Sequence, residues 1–137
     1  VPAGPSLTLF GRLALTRGRG ADLPVSRLTF VGGLYPPSVL PGRFLPLAGA
    51  RPQEFVGRSG QFARLGARWR PRRDLFFEIA TEAGAAADDW TLDADELSFG
   101  LALTAGLVTP IGPVSVTFAG DAPDDLPTVG VRLGPDF

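Results

Sequence analysis

One pattern governs what this chain can fold into. Side chains alternate, residue by residue, between large apolar and small or polar, most clearly from Gln61 to Gly84. Successive side chains of a β-strand point to opposite faces, so a period of two predicts strands with two unlike faces. In the first arm Ala63, Leu65, Ala67 and Trp69 share one face, and Arg64, Arg68 and Arg70 share the other. A Pro71-Arg72-Arg73-Asp74 turn follows. In the second arm Leu75, Phe77 and Ile79 oppose Glu78 and Glu82. Folding the arms so that Trp69 meets Phe77 sets Arg68 against Glu78 and Arg64 against Glu82. Cross-strand pairs of this kind are the unit of sheet stabilisation. The spacing predicts a hairpin with one dry face and one face of ion pairs.

The same period recurs along the chain. It predicts strands over Ser6–Arg17, Ser26–Gly32, Glu96–Thr109, Val114–Ala119 and Thr128–Phe137. Leu7, Leu9, Leu13 and Leu15 share one face of the first, against Ser6, Thr8, Arg12 and Thr16. Leu97, Phe99, Leu101, Leu103, Ala105 and Leu107 share one face of the segment 96–109, against Ser98, Gly100, Ala102, Thr104 and Gly106. Residues 33–60 are Pro- and Gly-rich and irregular, with one short strand expected near Arg43–Leu47. An irregular run of that length is usually a functional or covering loop. The expected total is seven strands and one short one. The turns at 71–74 and 109–112 are short, while the connections at 17–25, 85–95 and 121–127 are long and polar. Short turns at one rim and long loops at the other, between strands of about ten residues, are the pattern of outer-membrane barrels.

Composition narrows the chemistry. With 137 residues the chain is expected to form a single domain, 1–137, large enough for a core or a small barrel. The net charge of −1 gives no basic surplus, so nucleic acid is not an expected partner. Every one of the 13 cationic residues is Arg. There is no Cys, hence no thiolate chemistry or disulfide, and no His, the commonest general base and metal ligand. Met is absent even at position 1, so a processed or excised piece of a longer chain is expected. No run approaches the roughly 18 apolar residues of a transmembrane helix. No cofactor is implied.

Two architectures share this alternation. One is an antiparallel, up-and-down transmembrane β-barrel of about eight strands, or half of a sixteen-stranded one, its Leu faces toward lipid. Its lumen would carry the ion pairs of Arg64, Arg68, Glu78 and Glu82. The other is a soluble β-sandwich or barrel acting as a binding module, with the Leu faces turned inward. The small, polar character of the non-Leu face and the near absence of charge on the Leu face favour the membrane barrel. Trp69 and Trp90 are then candidates for the aromatic belt at the membrane–water interface, with Tyr35 a further one.

Catalytic readings are weaker. Gly57-Arg58-Ser59-Gly60 lacks the second spacer of a G-x-S-x-G nucleophile elbow, and no His is present to complete a triad. Asp88, Asp89, Asp93 and Asp95 offer oxygen ligands for Ca²⁺, but not at the spacing of a calcium loop. Glu78 and Glu82 form a carboxylate pair, which the facing Arg64 and Arg68 make structural rather than catalytic. The expectation is no enzyme in these residues, no catalytic residue and no metal.

Four segments resemble a known family, the bacterial surface-antigen outer-membrane barrels of the BamA/TamA/FhaC superfamily, especially the barrel that follows patatin-like phospholipases. Leu47 to Gly57 resembles its Gly–aromatic loop segment, with Ala50 in place of the aromatic. Glu82-Ala83-Gly84 followed by Trp90 resembles a strand end. Gly100 to Pro113, ending Thr109-Pro110-Ile111-Gly112-Pro113, resembles the penultimate hairpin. Gly130-Val131-Arg132-Leu133-Gly134-Pro135-Asp136-Phe137 resembles the last strand. The resemblance implies an outer-membrane location and an assembly signal at Gly130, Leu133 and Phe137, read by the barrel-assembly machinery. It also implies anchoring or translocation of an attached domain, with a phospholipase or esterase domain expected before Val1. Family barrels have sixteen strands, so this chain would be half of one, an eight-stranded relative, or a subunit that closes with a second copy of itself.

Overall fold

The computed structural model describes residues 6–19, 24, 27–34, 43–90, 94–120 and 127–134. These residues form an all-β, mostly antiparallel structure of two sheets with no α-helix among them. The strands are β1 (Ser6–Arg17), β2 (Thr29–Val31), β3 (Arg43–Leu45), β4 (Phe55–Gly57), β5 (Ser59–Arg70), β6 (Leu75–Ala87), β7 (Ser98–Thr109), β8 (Gly112–Gly120) and β9 (Thr128–Leu133). The large sheet runs β1-β5-β6-β7-β8-β9, every pair antiparallel. The small sheet runs β3-β2-β4, with β2 and β3 parallel.

The central hairpin has the register that the side-chain pattern demands. Trp69 is the partner of Phe77, Arg68 of Glu78 and Arg64 of Glu82. A one-residue slip would have put every apolar side chain of one arm on the charged face, so the pattern tolerates no neighbouring register. Trp69 and Phe77 stack with centroids 5.8 Å apart.

The inserted segment between β1 and β5 departs from expectation. The strand expected over Ser26–Gly32 is only Thr29–Val31, and all three of its residues are buried rather than alternating. Its two edges pair with β3 and β4 and it packs against the large sheet, and with consecutive side chains all buried both of its faces are covered. The Arg43–Leu47 segment pairs as β3 over Arg43–Leu45, followed by an isolated bridge from Leu47 to Gly33. Neither segment is a stave of the large sheet, which has six strands rather than the expected eight. The sheet is open: among the described residues β1 and β9 are edges and do not pair with each other. At the start of β7, Glu96 lies in a 3-10 turn, Ala94–Glu96, instead of the strand.

The insert packs onto the small, polar face, here called the inner face. Val31, Leu45, Leu47 and Ala50 surround Phe62 of β5, with Ala14 and Ala86 at the margin. Ala48 meets Ala102 and Ala119, with Leu34 beside them. Small residues on the sheet make this approach possible. A Cβ at Gly100 would overlap the Ala48 carbonyl, so that contact exists only because Gly stands there. Gly32 turns the insert with φ +127°, a conformation open to Gly and hardly to other residues. The turn is fixed by Gly32 N–H to Leu45 C=O at 3.1 Å and Gly33 N–H to Ala50 C=O at 3.0 Å.

The opposite, outer face is uncovered. Leu9, Leu13 and Leu133 are 76%, 72% and 74% exposed, and large apolar side chains stand exposed on every strand of the large sheet. The core therefore lies between insert and inner face, and most of the bulky apolar residues lie outside it.

Candidate functional site

The register brings four charged side chains of β5 and β6 into one ladder on the inner face. Arg68 Nε and Nη2 donate to Glu78 Oε2 at 2.9 and 2.7 Å. Arg64 Nη2 reaches Glu78 Oε1 at 2.5 Å, and its Nη1 reaches Glu82 Oε1 at 2.8 Å. The remaining oxygen, Glu82 Oε2, accepts the backbone N–H of Ala48 at 2.5 Å. Each carboxylate oxygen thus has a donor, and two cations balance two anions. Glu82 is 4% and Glu78 8% exposed. Buried charge is tolerated only when paired and hydrogen-bonded in this way. Among the described residues no buried side-chain polar atom lacks a partner.

Chemically the ladder is a latch. Its charged end ties β5 to β6, and its last bond ties β6 to the insert through a main-chain amide, 34 residues away in sequence. Two aromatic rings complete it. The Arg64 guanidinium lies 5.6 Å from the Phe10 ring centroid and the Arg68 guanidinium 5.2 Å from that of Phe76. Neither Phe was singled out from the sequence. Both sit on the polar face of their strands, with Gly66 the partner of Phe10 and Gly106 the partner of Phe76. A Phe on the small-residue face facing a cross-strand Gly is the signal that could have found them.

A second cluster closes the rim that bears the long connections. Trp90 Nε1 donates to the Thr16 carbonyl at 2.9 Å, and the Arg17 guanidinium stands 5.5 Å from the Trp90 ring centroid. Arg17 pairs with Asp89 at 3.0 Å and Arg58 with Asp88 at 3.1 Å. The Asp88 carboxylate raises the Arg58 pKa further above its ordinary value. Ser59 is buried, and its Oγ donates to the Asp88 carbonyl at 3.3 Å. Thr16 and the fully buried Thr29 share a hydroxyl–hydroxyl bond of 2.8 Å, which joins β1 to β2 of the insert.

The other residues marked in the sequence are dispersed. Trp69 stands half-exposed on the outer face, toward the 71–74 turn, and Trp90 half-exposed at the opposite rim. Gly130 is buried within β9, and Leu133, on its outer face, is exposed. Phe137, Tyr35 and Asp93 lie outside the described residues. Among the described residues no three carboxylates gather as metal ligands.

Compared with protein-family models, curated proteins and solved structures, the chain matches none.

Proposed function

We propose that this chain is a segment of an outer-membrane β-barrel wall that anchors, or translocates, an attached domain. The observation that carries the reading is the uncovered outer face, where large apolar side chains stand exposed on all six strands of the large sheet while the insert packs on part of the inner face. Apolar patches of that extent are rare on soluble monomers. In lipid the same face needs no cover. Twelve residues of β5 span about 40 Å, and a barrel tilt near 40° brings the crossing to about 30 Å, the thickness of the hydrocarbon core.

Closure follows from the same physics. Unpaired backbone groups are not tolerated in lipid, so the edges β1 and β9 require partners. Six strands in strict alternation leave those edges antiparallel to each other. An even number of further staves, from a second copy or from other parts of a parent protein, therefore closes the wall with every short turn at one rim. The insert plugs the inner face, held by the Glu82–Ala48 bond. Under this reading Gly130, Leu133 and Phe137 carry the signal for the barrel-assembly machinery.

The test is far-UV circular dichroism of refolded protein with and without detergent, beside a gel run with and without heating. A β-spectrum and a heat-modifiable band in micelles only are expected. A folded monomer in plain buffer overturns the proposal and favours the soluble binding module.

A further inference from the structure

Within the exposed outer face lies an open trough of about 440 Å³, apolar along nearly all its lining. That volume falls in the range of about 300–1,000 Å³ typical of ligand pockets. Ala67 and Ala105 leave the space between larger neighbours, which are Trp69 and Phe77 on one side and Ile79, Leu103 and Phe118 on the other. Leu7 of the edge strand, the partner of Trp69, also lines it. The stacked Trp69–Phe77 pair is the cross-strand pair of β5 and β6 next to the 71–74 turn.

That turn carries Arg72 and Arg73, both exposed, against a single acidic residue, Asp74. It is pinned to the neighbouring hairpin by Val108 N–H to the Asp74 carbonyl at 2.7 Å, so its place beside the trough is fixed. The other short turn is uncharged and presents Ile111, 89% exposed. Of the two short turns at this rim, the cationic one thus stands where the trough and the aromatic pair end. An amphipathic ring belongs at headgroup depth, with acyl chain below it and phosphate beyond.

We infer that the trough and the 71–74 turn together form a site for an anionic phospholipid. One acyl chain lies along Ala67 and Ala105, and the phosphate lies against Arg72 and Arg73. The inference rests on the membrane reading and goes further, in naming the headgroup charge that the wall selects. Charge complementarity carries the choice, since a polybasic turn at a membrane surface enriches anionic lipid.

The experiment uses the full chain with Trp90→Phe, so that Trp69 alone emits, folded into vesicles of equal parts phosphatidylglycerol and phosphatidylcholine. Bromines are placed on the chains of one lipid or of the other, leaving overall composition unchanged. Quenching of Trp69 by brominated phosphatidylglycerol is expected to exceed that by brominated phosphatidylcholine by roughly two- to five-fold. The excess should vanish in Arg72→Ser/Arg73→Ser and shrink in high salt. Equal quenching in the parent, or an excess that survives the double substitution, overturns the lipid site and leaves the membrane reading intact. Quenching by neither lipid overturns both. Should Trp90→Phe fail to fold, the unsubstituted chain with Trp69→Phe as its reference gives the same comparison.

Discussion

Leu65→Arg tests by magnitude whether the outer face meets lipid or water. Leu65 is the seventh of the twelve residues of β5, within about 2 Å of the strand's midpoint, and is 68% exposed on the outer face. If that face meets water, the substitution stays within about ±0.5 kcal/mol, as for most surface positions. If it meets lipid, Arg at the bilayer midplane costs about 2–4 kcal/mol. At 1.4 kcal/mol per factor of ten, that is a roughly 30- to 700-fold loss in the folding equilibrium. Leu133 is the depth control. It is equally exposed, but it pairs with Val114, two residues from the turn-side end of β8. There the same change should cost only about 0–1 kcal/mol. Urea unfolding of vesicle-inserted protein, followed by Trp emission, reads both. A Leu65→Arg variant no less stable than Leu133→Arg would refute the reasoning, because a lipid-facing wall must show depth dependence.

Three further outcomes concern the inner face and the rim. Glu82→Ala leaves Arg64 half-compensated and the Ala48 N–H without an acceptor, so a loss of about 3 kcal/mol or more is expected. Glu82→Gln retains an acceptor and should cost about 1–2 kcal/mol, and amide exchange at Ala48 should rank the two variants in that order. Gly100→Ala forces the insert away from β7 at a cost of about 1–3 kcal/mol; deprotection of Ala48 and Leu47 amides with β7 protection retained would be its signature. Asp89→Asn, at the exposed rim pair, should change stability by less than about 1 kcal/mol, measured in the same urea titration in low and high salt.

The hairpin was legible because its constraint is local. Two arms, one turn and a period of two leave a single register that pairs Arg64 with Glu82 and Trp69 with Phe77, and the structure has that register. The insert was not legible. β2 and β3 are short and non-local: Thr29 pairs in parallel with Arg43 and antiparallel with Gly57, and tertiary burial rather than alternation chooses its neighbours. Thr29 shows the difficulty. Alternation assigned it to a polar face, yet it is fully buried because Thr16 supplies its hydroxyl with a partner. The latch was half visible for a related reason. Charge pairing across β5 and β6 can be read from the side chains, but the donor that completes Glu82 is a main-chain amide, which every residue except Pro carries and which no sequence marks. What marks it indirectly is Gly100, whose missing side chain lets the Ala48 backbone lie close to β7. On such a face the small residues carry the information about what docks there, and the bulky ones on the other face carry the information about the solvent.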